Sequence, residues 1–144
     1  MGPTRYTFEV AARSETTAPF RRKLRILLEN SDFDAEAVRD ILLSVDEALT
    51  NVIRHAYKNR EKEKKKGEIR LTFSDLGDRA EILIEDKGSC FDPCKAPLPE
   101  LPSKKPGGLG IYLFRSLMDE VNYQPLKPQG NQLRLVKYKK GRKP

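Results

Sequence analysis

The sequence predicts an α+β fold, a two-layer sandwich with helices on one face of a mostly antiparallel sheet. Three observations predict it. Two amphipathic helical stretches fill the first part of the chain, residues 18–29 and 35–57. Two alternating stretches, Glu68–Phe73 and Arg79–Glu85, close around a four-residue turn. A further helix and two more short alternating stretches complete the pattern.

Taken in order, Tyr6–Ala11 alternates and reads as a strand. Thr16 or Thr17 is placed to cap a helix over Ala18–Glu29, with Pro19 in its first turn, where proline is tolerated. Phe20, Leu24, Leu27 and Leu28 form its apolar face, and Arg21, Arg22, Lys23 and Arg25 its basic one. Asp34 is the expected N-cap of a long central helix running to Tyr57, with Glu36 in the first turn. Ile69, Leu71 and Phe73, then Ala80, Ile82 and Ile84, give a hairpin around Asp75-Leu76-Gly77-Asp78 with one apolar face. Residues 86–106 carry five prolines and read as a loop. Leu109–Glu120 reads as helix, and Val121–Tyr123 and Gln132–Tyr138 as the last strands.

The 144 residues make one domain's worth of chain, 38% hydrophobic and 34% charged, long enough to bury a core. No apolar run reaches the roughly eighteen residues needed to span a bilayer, and no signal-peptide pattern opens the chain, so no membrane partner is expected. Two cysteines, Cys90 and Cys94, and one histidine, His55, are too few for a structural zinc site and fit reduced thiols in the cytoplasm. The formal charge is +7. The stretch 58–66 holds six basic against two acidic residues, and 137–144 holds five basic and no acidic ones, leaving the remainder slightly acidic. Tyr138 is the one aromatic residue among those cations, too little to stack a run of bases, so nucleic acid is not expected as a partner. A solvated turn and a basic disordered tail over 139–144 account for the excess.

The central helix carries an apolar stripe of Val38, Ile41, Leu42, Val45, Leu49, Val52, Ile53 and Ala56. Glu47, Asn51 and His55 recur beside it at four-residue spacing and share one column. A carboxylate, an amide and an imidazole so arranged can hold a metal ion and handle a proton. A solvated polar face would look much the same. Two further motifs bracket the proline-rich loop. Asp86-Lys87-Gly88 follows an apolar strand; a carboxylate there can accept from an exocyclic amine, and a glycine admits a flat ring close to the backbone. An aspartate-glycine turn reads identically. Gly107-Gly108-Leu109-Gly110 enters a helix, where free amides and the helix dipole favour phosphate. A flexible helix entry also needs glycines. No Lys-Ser/Thr pair follows, so this is not a P-loop, and the dinucleotide fingerprint is absent too.

The order of the three motifs resembles the ATP-binding domain shared by gyrase-type ATPases, heat-shock chaperones, histidine kinases and mismatch-repair ATPases, the GHKL group with its Bergerat-type fold. The resemblance covers nearly the whole chain. Within that group Glu47-Ala48-Leu49-Thr50-Asn51-Val52-Ile53-Arg54-His55-Ala56-Tyr57 is similar to the asparagine box of the small bacterial anti-sigma-factor serine kinases. Chain length agrees, because the gyrase and chaperone relatives are much larger.

The resemblance implies one ATP-binding domain over residues 1–144, with residues 93–106 as a lid. It implies Asn51 as Mg²⁺ ligand and Glu47 as general base on the hydroxyl that receives the γ-phosphate. Asp86 would read adenine, with Gly88 and Phe91 shaping the pocket. Gly108, Leu109 and Gly110 would hold phosphates, and His55 would stand among the nucleotide-binding residues. Implied partners are a sigma factor, an anti-anti-sigma (STAS-type) protein bearing the acceptor serine, and a second copy of the chain as homodimer. Arg21 and Arg22 offer a docking surface. Cys90 stands where the family's Asp-x-Gly box has its second glycine. Lys104-Lys105-Pro106 replaces an arginine that many members carry before the second glycine box, and lysine supplies a point charge without the fork. That departure motivates an alternative, a nucleotide-responsive regulatory binding module without efficient kinase activity.

Overall fold

The computed structural model describes residues 4–56, 68–88, 92, 114–142 and 144, and of residues 14, 55 and 56 the backbone alone. Five strands form one sheet: β1 (Thr4–Ala11), β2 (Glu68–Asp75), β3 (Arg79–Asp86), β4 (Glu120–Pro125) and β5 (Asn131–Tyr138). Their order is β1-β2-β3-β5-β4, and every neighbouring pair is antiparallel. Two helices, α1 (Thr17–Glu29) and α2 (Ala35–Asn51), pack together and share one core with the sheet. The two-layer α+β architecture expected from the alternation is the one observed.

Alternation decides which face is covered. Ile69, Leu71 and Phe73 of β2, Ala80, Ile82 and Ile84 of β3, and Leu133 and Leu135 of β5 are buried with Leu24 and Leu28 of α1 and Ile41, Val45 and Leu49 of α2. Each of these side chains larger than alanine contributes about 1.5–3 kcal/mol by leaving water. The other face is polar, and Arg134 there bridges Glu81 at 2.8 Å and Glu120 at 3.1 Å across β3, β5 and β4.

The hairpin turn falls where its residues place it. Leu76 N–H donates to the Arg79 carbonyl at 2.9 Å, Asp75 Oδ1 accepts from Gly77 N–H at 3.0 Å, and Gly77 takes φ 95°. Asp34 caps α2 as expected: its backbone is extended and Oδ1 accepts from Ala37 N–H at 2.8 Å.

Four local expectations are corrected. Thr16 stands at the N-cap of α1 but makes no side-chain cap bond. Its backbone is already helical, and its hydroxyl donates to the Ala11 and Arg13 carbonyls, each at 2.7 Å, closing the turn between β1 and α1. The central helix does not run as α-helix to Tyr57: it ends at Asn51 and continues as a π-helical turn over Val52–Ala56. Thr50 Oγ1 takes the Asp46 carbonyl at 2.9 Å, and Val52 N–H is shared between the Ala48 and Leu49 carbonyls, so the regular ladder loosens there. Past the proline-rich loop, helix is described over 114–117 and stops short of Glu120, because Asp119 is already bound to the sheet. Its N–H donates to the Val136 carbonyl at 2.8 Å, and its Oδ2 accepts from Tyr138 N–H at 2.7 Å. Residues 139–142, expected within a disordered tail, dock on the β2–β3 turn: Lys139 N–H donates to the Asp78 carbonyl at 2.9 Å, and its Nζ pairs with Asp75 at 3.4 Å.

Candidate active site

Asp86 ends β3 on the helix-facing side and is 3% exposed. A carboxylate taken this far from water needs donors. Oδ1 accepts two, from Gly88 N–H at 2.8 Å and from Asn131 Nδ2 at 3.0 Å. Oδ2 is buried and has no partner among the described residues. Burial pushes the carboxyl above the ordinary aspartate value of 3.8, and the hydrogen bonds from Asn131 and Gly88 pull the other way. An acceptor oxygen is thereby left unmet among the described residues.

The turn between β4 and β5 packs against this carboxylate. Gly130 has φ 133°, and a Cβ built on it would lie 2.3 Å from the Asp86 carbonyl oxygen. Leu126 N–H donates to the Gly130 carbonyl at 3.0 Å, and Gln129 Nε2 to the Lys87 carbonyl at 3.3 Å. Only a residue without a side chain lets β5 start this close to Asp86. Gly130→Ala is expected to destabilise the chain by about 1–3 kcal/mol, read as a lower urea midpoint. An unchanged midpoint would show that the turn shifts away at no cost.

The second group stands on α2. Asn51, its last residue, is 6% exposed, and its Nδ2 has no partner among the described residues. Glu47 lies one turn earlier and is half-buried. Partial burial raises its carboxyl above the ordinary glutamate value of 4.5, the Asp46 charge adds to the rise, and Arg54 opposes it. Arg21 of α1 reaches Asp46 at 3.1 Å, which sets the basic helix beside this carboxylate, while Arg22 is exposed. The α-helical period that stacks Glu47 and Asn51 holds only as far as Asn51, and the side chain of His55 lies outside the described residues. So do Phe91, Gly108, Leu109, Gly110 and the lid over 93–106.

A buried, half-satisfied carboxylate beside a glycine is able to accept from an amine-bearing ring. Residues 10–137 match the model of the histidine kinase-like ATPase domain. The chain belongs to that ATPase family. Within it, the serine-protein kinase RsbW of Bacillus subtilis is 31% identical over 92% of this chain and 84% of its own length. The RsbW of Oceanobacillus iheyensis is 35% identical over 78% and 74%. Among solved structures, the RsbU and RsbW domains of a Mycobacterium tuberculosis protein superpose with a TM-score of 0.69 at 17% identity, covering 94% of this chain and 32% of that one. The histidine kinase domain of a blue-light-activated kinase from Erythrobacter litoralis gives 0.56 at 18% identity, over 90% and 62%. These likenesses establish the fold. The resemblance drawn from the three motifs is thus borne out as to family, and ATP is the nucleotide of this histidine kinase-like ATPase.

Sequence reasoning missed Asn131, Tyr123 and Gly130. Their signal is faint but physical. A glycine directly before an alternating strand marks a close backbone approach, and Tyr123 and Asn131 occupy inward positions otherwise held by Val121, Leu133 and Leu135.

Proposed function

We propose that this histidine kinase-like ATPase binds Mg·ATP, phosphorylates a serine on an anti-anti-sigma (STAS-type) partner and sequesters a sigma factor. The nucleotide half rests on one observation, the buried Asp86 carboxylate whose Oδ1 accepts two hydrogen bonds and whose Oδ2 has no partner among the described residues. That oxygen accepts from the exocyclic amine of adenine, with Gly88 and Phe91 beside the ring. The transfer half rests on the relatives, which are named serine-protein kinases and match most of the chain. They favour phosphate transfer over a module in which nucleotide only sets partner affinity.

Asn51 fits a magnesium ligand through its amide oxygen, a hard donor at the buried end of α2, while the unmet Nδ2 is a donor suited to a phosphate oxygen. Mg²⁺, when bound, neutralises charge on the phosphate oxygens. Glu47 takes the proton of the attacking serine hydroxyl, and its raised pKa makes it a stronger base than an exposed glutamate. Gly108, Leu109 and Gly110 hold phosphates through backbone amides, and residues 93–106 form the lid. Arg21 and Arg22 face the protein partners, with Arg21 tied to Asp46 next to the base. No described helix is long and apolar enough to cross a membrane. We assign the chain to the cytoplasm, as a homodimer.

Calorimetric titration with ATP, with and without Mg²⁺, tests the assignment. Unmutated chain is expected to bind in a Mg²⁺-dependent manner, and Asn51→Ala to lose at least about tenfold in affinity and all Mg²⁺ dependence. Binding by Asn51→Ala that still responds to Mg²⁺ would remove Asn51 from the metal site. Absence of ATP binding by the unmutated chain would overturn the reading of Asp86.

A further inference from the structure

Among the described residues Asp86 presents a single unmet oxygen, Oδ2, and Oδ1 is shared between Gly88 and the last hairpin. Asn131 stands directly opposite Asp86 in the β3–β5 register, is 7% exposed, and donates through Nδ2 to Oδ1 at 3.0 Å. The far end of that amide is fixed as well. The Tyr123 hydroxyl, reaching across from β4, donates to Asn131 Oδ1 at 2.6 Å. An amide turned by 180° would set its oxygen against the Asp86 carboxylate and take the acceptor from the phenol proton, so Asp86 and Tyr123 together select the orientation that gives Asp86 a donor.

We propose that Tyr123 and Asn131 are positioning residues for base selection: their phenol–amide chain keeps Asp86 an acceptor at Oδ2, favouring a purine with a 6-amino group over its 6-oxo counterpart. The inference rests on Asp86 being the group that reads the base. An ionised carboxylate only accepts, so it meets the amine of adenine and repels the carbonyl oxygen of hypoxanthine or guanine. A protonated carboxyl would donate to that oxygen and admit the wrong base. Burial drives Asp86 toward the protonated form, and the two donors on Oδ1 drive it back. Without Asn131, the Gly88 amide opposes burial alone. Such a preference is large when a site's buried polar groups would be left unpaired or opposed by the wrong ligand.

ATP and inosine triphosphate differ at the purine 6-position and the adjoining N1 proton, so their affinity ratio reads this device. Both are titrated calorimetrically into the unmutated chain, Asn131→Leu and Tyr123→Phe, with thermal unfolding as the check on folding. The unmutated chain is expected to prefer ATP. Asn131→Leu is expected to lose about tenfold of that preference, and Tyr123→Phe a smaller part in the same direction. Residues that merely support the fold would weaken both nucleotides equally, and an unchanged ratio in both variants overturns the proposal. Should Asn131→Leu fail to fold, an unchanged ratio in Tyr123→Phe does so alone. An unmutated chain without preference between the two nucleotides would refute the reading of Asp86 itself, and this inference with it.

Discussion

Glu47→Gln is expected to lower the rate of serine phosphorylation by about 10²–10⁴-fold while ATP affinity changes little. Glutamine keeps the size and the hydrogen-bonding reach of glutamate but cannot take a proton, so the variant separates base catalysis from packing. The environment of Glu47 supports the assignment: partial burial and the neighbouring Asp46 charge raise its pKa above 4.5. The sign gives a second readout. Only the ionised form is a base, so the unmutated rate falls as pH drops through that raised value, and this acid limb is absent from the residual activity of Glu47→Gln. Initial rates of phosphate transfer to the purified partner, followed against pH beside calorimetric ATP affinities, measure both. A variant that transfers phosphate at the normal rate would falsify the role of Glu47. A variant that loses ATP affinity in step with rate would make Glu47 a binding residue instead.

How much of this site was legible in the sequence depends on the range over which each feature is decided. Asp34, the Asp75-Leu76-Gly77-Asp78 turn and the alternation of β2 and β3 are set by neighbours a few residues apart, and all appear where local rules place them. The turn at Asp86 was legible because it closes locally: Gly88 N–H bonds the carboxylate two residues back. The π-helical turn after Asn51 was not, since side-chain periodicity looks alike whether or not Thr50 diverts the Asp46 carbonyl. The Tyr123–Asn131–Asp86 chain was the least legible. Its members lie on three strands and meet only once the sheet register is fixed, with Asn131 and Asp86 separated by 45 positions. Lys137 teaches the same lesson. It counts among the basic residues of the chain end, yet it pairs with Asp40 of α2 at 3.3 Å and donates to the Leu117 carbonyl at 2.6 Å, tying helix and sheet together.

Asp86→Asn is expected to weaken ATP binding by about 10²-fold and, at neutral pH, to make the nucleotide-free chain more stable. The two effects share one cause. Asparagine preserves shape and can still accept from Gly88 and Asn131 through its oxygen, but its NH₂ then meets the amine of adenine donor to donor. Stability moves the other way because ionised Asp86 is a cost to the empty fold. Its folded-state pKa is raised above 3.8, chiefly by burial, so the folded chain holds that proton more tightly than the unfolded chain does. Stability is therefore lost as pH climbs from 3.8 through the raised value, and it stays lost at neutral pH; below 3.8 both states are protonated and the cost disappears. The gain from Asp86→Asn should accordingly be present at pH 7, shrink through that window and vanish at its acid end. Urea unfolding at neutral and acid pH, with and without ATP, measures all of it. A neutral-pH loss of stability would mean that the bonds from Gly88 and Asn131 to an ionised acceptor outweigh its desolvation, so that Asp86 would hold the fold together as well as the base. The expected outcome is instead a residue kept at the expense of the empty protein, with ATP supplying the donor that Oδ2 lacks. ATP should then stabilise the unmutated chain by more than it stabilises Asp86→Asn, and the stability order of the two should invert as the nucleotide approaches saturation.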